Sequence, residues 1–417
     1  MIKVGKALSE STRKRLYRWI ESNTQLNSEG QLSWNTLEFS EYLSILDDAF
    51  DFPKGTSPRV RHRATHDGIV RARKRGVLND NTALKEIRRA FYEYGRRRTN
   101  PYAMWTRIRV AFPHGQAGLR FRADDVSLEI ANALPPYMRL TAEQLAHASP
   151  LSKKDVPRFA YLIARTSACD DHDAAEDMIH AAGTLISVFN LALRSWNFFG
   201  SEQKPEAALL LGPYQHIFKQ KAALIEQVSW YNPDFREDFW RTSSGDTKVF
   251  KAVRSVRKAL YAISTHPLKI EILQVLRLSN EAMESPDLTK RTLRYWSALE
   301  RLFSTDAERA SYDTIIRRAT FLESDKEIAR AKLNRLLSVR NRYVHWGVSE
   351  QGHHQLNQYV ADLIRRFLFY IVFNGEDFLD HRELLEMCDL PSDIASLARR
   401  RKAIERREKI ELTKRHK

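Results

Sequence analysis

From about residue 246 to residue 375, apolar residues recur at three- and four-residue spacing almost without a break, and this constrains the fold more than any other feature of the chain. Candidate helices cover 247–263, 268–284, 289–304, 311–322, 325–346 and 356–374. His266-Pro267 separates the first pair, because proline disfavours helix at the residue before it. Ser285-Pro286-Asp287 separates the next. The expected class is mainly α.

Upstream the pattern differs. Residues 1–98 also read as helical: Leu16, Trp19 and Ile20, then Leu37, Tyr42, Leu43 and Leu46, keep helical spacing, and Pro53, Gly55 and Pro58 punctuate the segment. A further helix is expected over Thr82–Tyr94, with Leu84, Ile87, Phe91 and Tyr94 facing a core and Asn81 as its cap. Residues 99–245 read as a small α+β domain. Trp105–Phe112 alternates with period two, as does Leu119–Phe121 beyond a Gly115–Gly118 turn. Arg158–Ala164 reads as a buried strand and Asp173–Trp196 as a long helix. Leu209–Phe218 reads as a strand broken at Gly212-Pro213. The third expected domain, a helical bundle, spans 246–398, and a basic helical tail spans 399–417.

The net charge of +16 sits almost wholly in two places. Residues 59–98 hold 13 Lys/Arg against four acids, and residues 399–417 hold ten against three. Clustered cations suit a polyphosphate partner, since each neutralised phosphate releases counterions. Arg71, Arg73, Lys74 and Arg75 in the first cluster, and Arg399, Arg400 and Arg401 in the second, are the expected nucleic-acid contacts. The bland alternative is a solvated surface and a frayed tail. A helix-turn-helix is a further reading of the first cluster, but no recognisable signature supports it.

Several classes are disfavoured. The cysteines, Cys169 and Cys388, match no zinc or redox spacing. The N-terminus lacks the apolar core of a secretory signal, and the longest apolar stretch, Ala181–Leu193, is too short to span a bilayer. A cytoplasmic protein without membrane, metal or cofactor is expected. Residues 99–245 contain no phosphate-cradling glycine loop.

The segment richest in chemistry is Leu336-Leu-Ser-Val-Arg-Asn-Arg-Tyr-Val-His-Trp-Gly347. On a helix, Asn341 and His345 stack one turn apart, whereas Arg340 lies five residues before His345, roughly 140° around the axis. Such a pair flanks one edge without touching, and suits a site completed by a second copy across a two-fold axis. Histidine suits proton transfer at neutral pH, arginine offers a fixed fork to phosphate oxygens, and asparagine can orient the imidazole or touch the phosphate. RNA cleavage needs little more.

These residues resemble the HEPN superfamily, whose members carry Arg-x(4–6)-His, often with a polar residue after the arginine, late in a dimerising α-bundle. Arg340-Asn341-(three residues)-His345 matches that form. Thr292-Leu-Arg-Tyr-Trp-Ser-Ala-Leu-Glu-Arg-Leu-Phe303 resembles the aromatic–Leu-Glu helix of the branch found in bacterial anti-phage proteins. The resemblance covers roughly 247–375 and implies a metal-independent endoribonuclease, active as a homodimer, serving as a toxin or abortive-infection effector. On that reading Arg340, Asn341 and His345 are catalytic, Arg342 contacts RNA, and a phage-derived signal or structured RNA is the expected trigger.

Bland readings stand beside these. Arg61–His66 and Arg109–His114 share the spacing by chance, and Pro113 disfavours a continuous helix through the second. Asn341 and Arg342 could serve carbonyls before the terminator Gly347, and His345 could be a packed core histidine. Glu300 is either a buried partner of Arg340 or a surface acid. Tyr295, Trp296 and Phe303 read as core, and His353-His354 as a loop pair with little promise as a metal site. The competing functions are a non-catalytic HEPN scaffold, or a nucleic-acid-binding regulator that uses 59–98.

Overall fold

The computed structural model describes residues 2–27, 32–34, 39–53, 56, 58–76, 78–96, 99–108, 118–139, 160–193, 207, 209–219, 224–231, 248–285, 287–305, 309–347, 354–373, 378–391 and 393–415. Two compact units emerge, Met1–Asn100 and Pro101–Lys417. The chain is mainly α, with thirteen helices among the described residues and one substantial sheet.

The first unit packs α1 (Glu10–Asn23), α2 (Phe39–Asp47), α3 (Pro58–Lys74) and α4 (Asp80–Tyr94), with β2 (Thr24–Leu26) pairing β3 (Leu32–Trp34) and β1 (Lys3–Val4) pairing β4 (Phe50–Asp51). Leu16, Tyr17 and Ile20 of α1 meet Leu43, Leu46, Ile69, Ala72 and Ile87 in its core. Trp19 stacks on Tyr42 with centroids 3.8 Å apart. The tightest approach is between α3 and α4, where a Cβ on Gly68 would lie 2.6 Å from the Ile87 backbone nitrogen. The cap of α4 is Asn79 rather than the expected Asn81: Asn79 accepts the Thr82 N–H at 3.0 Å and its own N–H donates to Thr82 Oγ1 at 3.1 Å. That reciprocal box starts the helix two residues earlier than the apolar pattern suggests.

The second unit opens with a six-stranded sheet in the order β6–β7–β8–β5–β9–β10. Its strands are β5 (Asn100–Ile108), β6 (Leu119–Ala123), β7 (Val126–Ala131), β8 (Ala160–Ala168), β9 (Leu211–Lys219) and β10 (Leu224–Tyr231). The expected strand residues 109–112 and 158–159, the glycine turn at 115–117, and helix residues 194–196 lie outside the described residues. The expected break at Gly212-Pro213 is absent: β9 runs through both residues. Thr106 pairs with Gln215 but Ile108 with Leu211, so the excess length is taken up as a bulge where proline's missing N–H costs little.

Tyr102, Met104, Leu128, Ile130, Leu162, Ala164 and Ile217 cover one sheet face and meet α5 (Asp171–Leu193). The same apolar cluster continues through α6 (Lys248–Thr265), α7 (Lys269–Glu284), α8 (Leu288–Phe303), α9 (Tyr312–Ala319), α10 (Lys326–Trp346), α11 (His354–Phe373) and α12 (His381–Cys388). The boundary expected near residue 245 is therefore not a break in the core: sheet and helices bury their apolar faces together. The last helix, α13 (Ile394–Arg415), carries the basic tail; its described side chains are mainly exposed.

Buried polar contacts fix how the helices meet. Arg318 of α9 grips Asp389 through two nitrogens at 2.9 and 2.8 Å and donates to the Phe303 carbonyl at 2.8 Å. The Arg318 guanidinium holds Asp389 below the usual carboxylate range. Thr292 of α8 donates to Asn357 of α11 at 2.9 Å, both fully buried. Asn190 of α5 donates to Asn280 of α7 at 2.7 Å, and Asn280 to Glu284 at 2.8 Å. Burial pushes Glu284 up to about 7.

Candidate functional site

Helix α10 positions the residues singled out by the sequence. It begins at Asp325, whose carboxylate accepts the Ile328 N–H at 3.0 Å, and ends at Gly347, whose φ of 64° sends the chain out of the helix. Ala329, Leu333, Leu336 and Val339 form its buried stripe, and no residue after Val339 is buried. The last two turns thus run on beyond the core, presenting their side chains at the surface.

Asn334, Leu337, Ser338, Asn341, Arg342, His345 and Trp346 line an open groove of about 390 Å³ along this helix. All seven belong to α10 itself, so the groove is an unclosed face rather than an enclosed cavity. It brings together Asn341, Arg342 and His345. His345 is exposed and makes no hydrogen bond among the described residues, so the alternative of a packed core histidine does not apply.

Arg340 is not in the groove. The 140° separation expected from helix geometry turns it toward α9, where its guanidinium carbon lies 5.5 Å from the Tyr312 ring centroid. Arg340 also donates to the side-chain oxygen of Asn341 at 3.1 Å. Asn341 therefore links the two directions, one neighbour of the arginine and one turn from the histidine.

The expected direct pair between Glu300 and Arg340 is not formed. Glu300 accepts the indole N–H of Trp296, one turn earlier on α8, at 2.8 Å. Trp296 packs edge-on against Tyr312 with centroids 5.8 Å apart, and Tyr312 carries the Arg340 guanidinium. Glu300 reaches Arg340 only through two aromatic rings. Tyr312, 28 positions before Arg340 and bearing no local motif, is the residue that sequence reasoning missed; no spacing rule could have found it. Tyr295, Trp296 and Phe303 are fully buried, as core residues should be.

The basic segment of the first unit is used differently. Arg71 pairs with Glu93 at 2.7 Å. Arg73 donates to Thr24 Oγ1 at 3.0 Å and to the carbonyls of Glu21 and Thr24. Arg75 meets the buried carboxylate of Glu86 at 2.6 Å, an ionic contact without well-aligned hydrogen bonds. Arg13 binds Asp80, and Arg88 the Ile2 carbonyl. Of the four cations expected to touch nucleic acid, Lys74 alone keeps an exposed head without an internal partner among the described residues. Three of the four therefore also act as staples of the fold.

On α13, Arg399 donates to Ser396 Oγ at 3.0 Å and Arg401 pairs with Glu405 at 3.1 Å. These two contacts and Arg400 lie on an exposed helical surface, where such pairs contribute little. His66, in the chance match with Arg61, faces Asp67 at 3.2 Å. Arg109, His114 and His353 lie outside the described residues, while His354 contacts Gln358 at 2.8 Å. No helix among the described residues is long and apolar enough to cross a membrane. Comparison of the chain with protein-family models, with curated proteins and with solved structures returned no match to any of them.

Proposed function

We propose that this protein is a HEPN-like endoribonuclease whose cleaving residues are Arg340, Asn341 and His345. The observation that carries the reading is the exposed end of α10, where His345, Asn341 and Arg342 share one open groove without packing into the core. A helix continued past its buried stripe, with Asn341, Arg342 and His345 on its open face and Arg340 at the edge, has the parts for phosphodiester chemistry.

In the proposed reaction His345 accepts the proton of an RNA 2′-hydroxyl. The 2′-oxygen then attacks the adjacent phosphorus, and the bond from phosphorus to the 5′-oxygen breaks. The leaving oxygen takes a proton from the equivalent histidine of a second copy. Arg342 of the groove neutralises phosphate charge, and Arg340 contributes from the edge of the helix, reaching the phosphate when a second copy closes the site. The ends produced are a 2′,3′-cyclic phosphate and a 5′-hydroxyl. Proton transfer and charge stabilisation suffice, so no step calls for a metal. The helical tail adds phosphate affinity without sequence choice. The setting implied by the resemblance is a growth-arresting or anti-phage effector in the cytoplasm, held in check until triggered.

The test is incubation of purified protein with total and transfer RNA in EDTA, beside His345→Ala, with chemical identification of the new ends. Cyclic-phosphate ends that vanish with the substitution support the reading. Cleavage that persists in His345→Ala, or that yields 3′-hydroxyl ends, contradicts it.

A further inference from the structure

Trp346 is 78% exposed, at the end of the same groove that holds His345. Tryptophan carries the largest apolar surface of any side chain, and leaving it in water forfeits burial free energy that most folds use. The other tryptophans with described side chains, Trp19, Trp105 and Trp296, are packed or stacked on neighbours. The backbone at Trp346 is fixed by the helix end. Gly347 stops the helix directly after it, closing the last turn with an N–H bond to the Tyr343 carbonyl at 2.9 Å.

We infer that Trp346 is a stacking platform for a base of single-stranded RNA next to the bond being cut, an inference that rests on the ribonuclease reading above. The surroundings favour a nucleotide over an apolar protein surface. Among the described residues the groove presents an arginine, a histidine, two asparagines and a serine, no carboxylate, and Leu337 as its one aliphatic residue. An aromatic face flanked by a phosphate-binding arginine and hydrogen-bonding amides is how proteins hold unpaired bases. Trp346 and His345 line the same groove, so a base on the indole places its phosphate near the imidazole. Every base has a π-face, so the platform tolerates any sequence; purines, with more ring area, are the better occupants. A duplex keeps its bases stacked inside and cannot use the platform, which makes unpaired RNA the substrate class.

The test is binding of a fluorescent 2′-O-methyl single-stranded oligonucleotide, which cannot be cleaved, to the full-length protein, with oligomeric state followed by sedimentation. Tyr261→Ala, at an exposed aromatic of α6 that does not line the groove, should bind about as well as wild type. Trp346→Ala should bind roughly 5- to 100-fold more weakly, the range found for loss of one base-stacking aromatic. Trp346→Phe should recover most of the affinity, and the blunt-ended duplex of the same sequence should be insensitive to either change. Unchanged binding by Trp346→Ala overturns the inference. So does a weakened affinity accompanied by loss of the oligomer, which would make Trp346 a contact between copies. Because the probe is inert, these outcomes do not depend on cleavage, and a failure of the ribonuclease reading shows separately as intact RNA in the cleavage assay.

Discussion

Two stretches of this chain are dense in arginine, and the fold treats them in opposite ways. In residues 59–98 three of the cations are engaged by the fold: Arg71, Arg73 and Arg75 bind Glu93, the α1–β2 backbone and Glu86. At the end of α10 the polar residues are left in the open, past the last buried position of the helix. Cation density is the stronger signal in the first stretch, whereas the second presents His345 at the surface without a hydrogen bond among the described residues. A charge is available for binding only when the fold does not use it, and here the acids that use it, Glu86 and Glu93, lie in the same stretch.

The comparison can be broken most sharply at Arg75. Substitution by alanine leaves Glu86, 1% exposed, as a buried carboxylate without its counter-charge, and stability should fall by about 3 kcal/mol. Lys74→Ala, one residue away, should stay within about 0.5 kcal/mol in the same urea titration. Similar losses for both would erase the distinction between a used and an unused cation.

Acids consumed by the fold should show themselves through pH. Glu284 is held up near 7, so its ionised form is disfavoured in the native state. Its contribution is fully favourable below the ordinary glutamate value and is lost as pH rises through 7, on the order of 1–3 kcal/mol in all. Glu284→Gln should flatten that part of the stability profile between pH 5 and pH 8. Asp80 and Asp389 are held down chiefly by Arg13 and Arg318, and have the opposite sign: their stabilisation is present above pH 4 and disappears as pH falls through the lowered values.

A smaller effect belongs to Tyr312. If its ring positions Arg340, Tyr312→Leu should slow cleavage about 3- to 10-fold, and Tyr312→Phe, which keeps the ring, should not. The split should fall on kcat rather than KM for a short RNA. Equal losses for both variants would point to the hydroxyl and dissolve the cation–ring account. Smallest of all is the stability change in His345→Ala. An exposed side chain without a hydrogen bond among the described residues should alter the melting midpoint negligibly, within about 0.5 kcal/mol.

What was legible in the sequence was what is local. The six helices expected over 247–374 match α6 to α11 to within three residues at most ends, because 3.6-residue periodicity and proline punctuation are written in adjacent residues. The 140° offset of Arg340 from His345 was likewise a matter of helix geometry alone. Strand β7 went unread although Val126, Leu128 and Ile130 alternate with Ser127, Glu129 and Ala131; six residues after a tight turn at Asp124 make a weak signal. The short pairs β1–β4 and β2–β3 hold too few residues for any pattern. The fate of the basic segment was out of reach for a different reason. Its partners Glu21 and Thr24 lie some fifty residues away from Arg73 and Leu78 in the chain. Tyr312 lies on a different helix from Arg340, so no local pattern links them, whereas Trp296 and Glu300 are one turn apart on α8.

The most direct measurement is the initial rate of single-stranded RNA cleavage in EDTA by wild type, His345→Ala and Lys74→Ala side by side. The account predicts a loss of about 100-fold or more for His345→Ala and a change within about two-fold for Lys74→Ala. A His345→Ala protein that cuts as fast as wild type, or a Lys74→Ala protein that loses the activity instead, would contradict it.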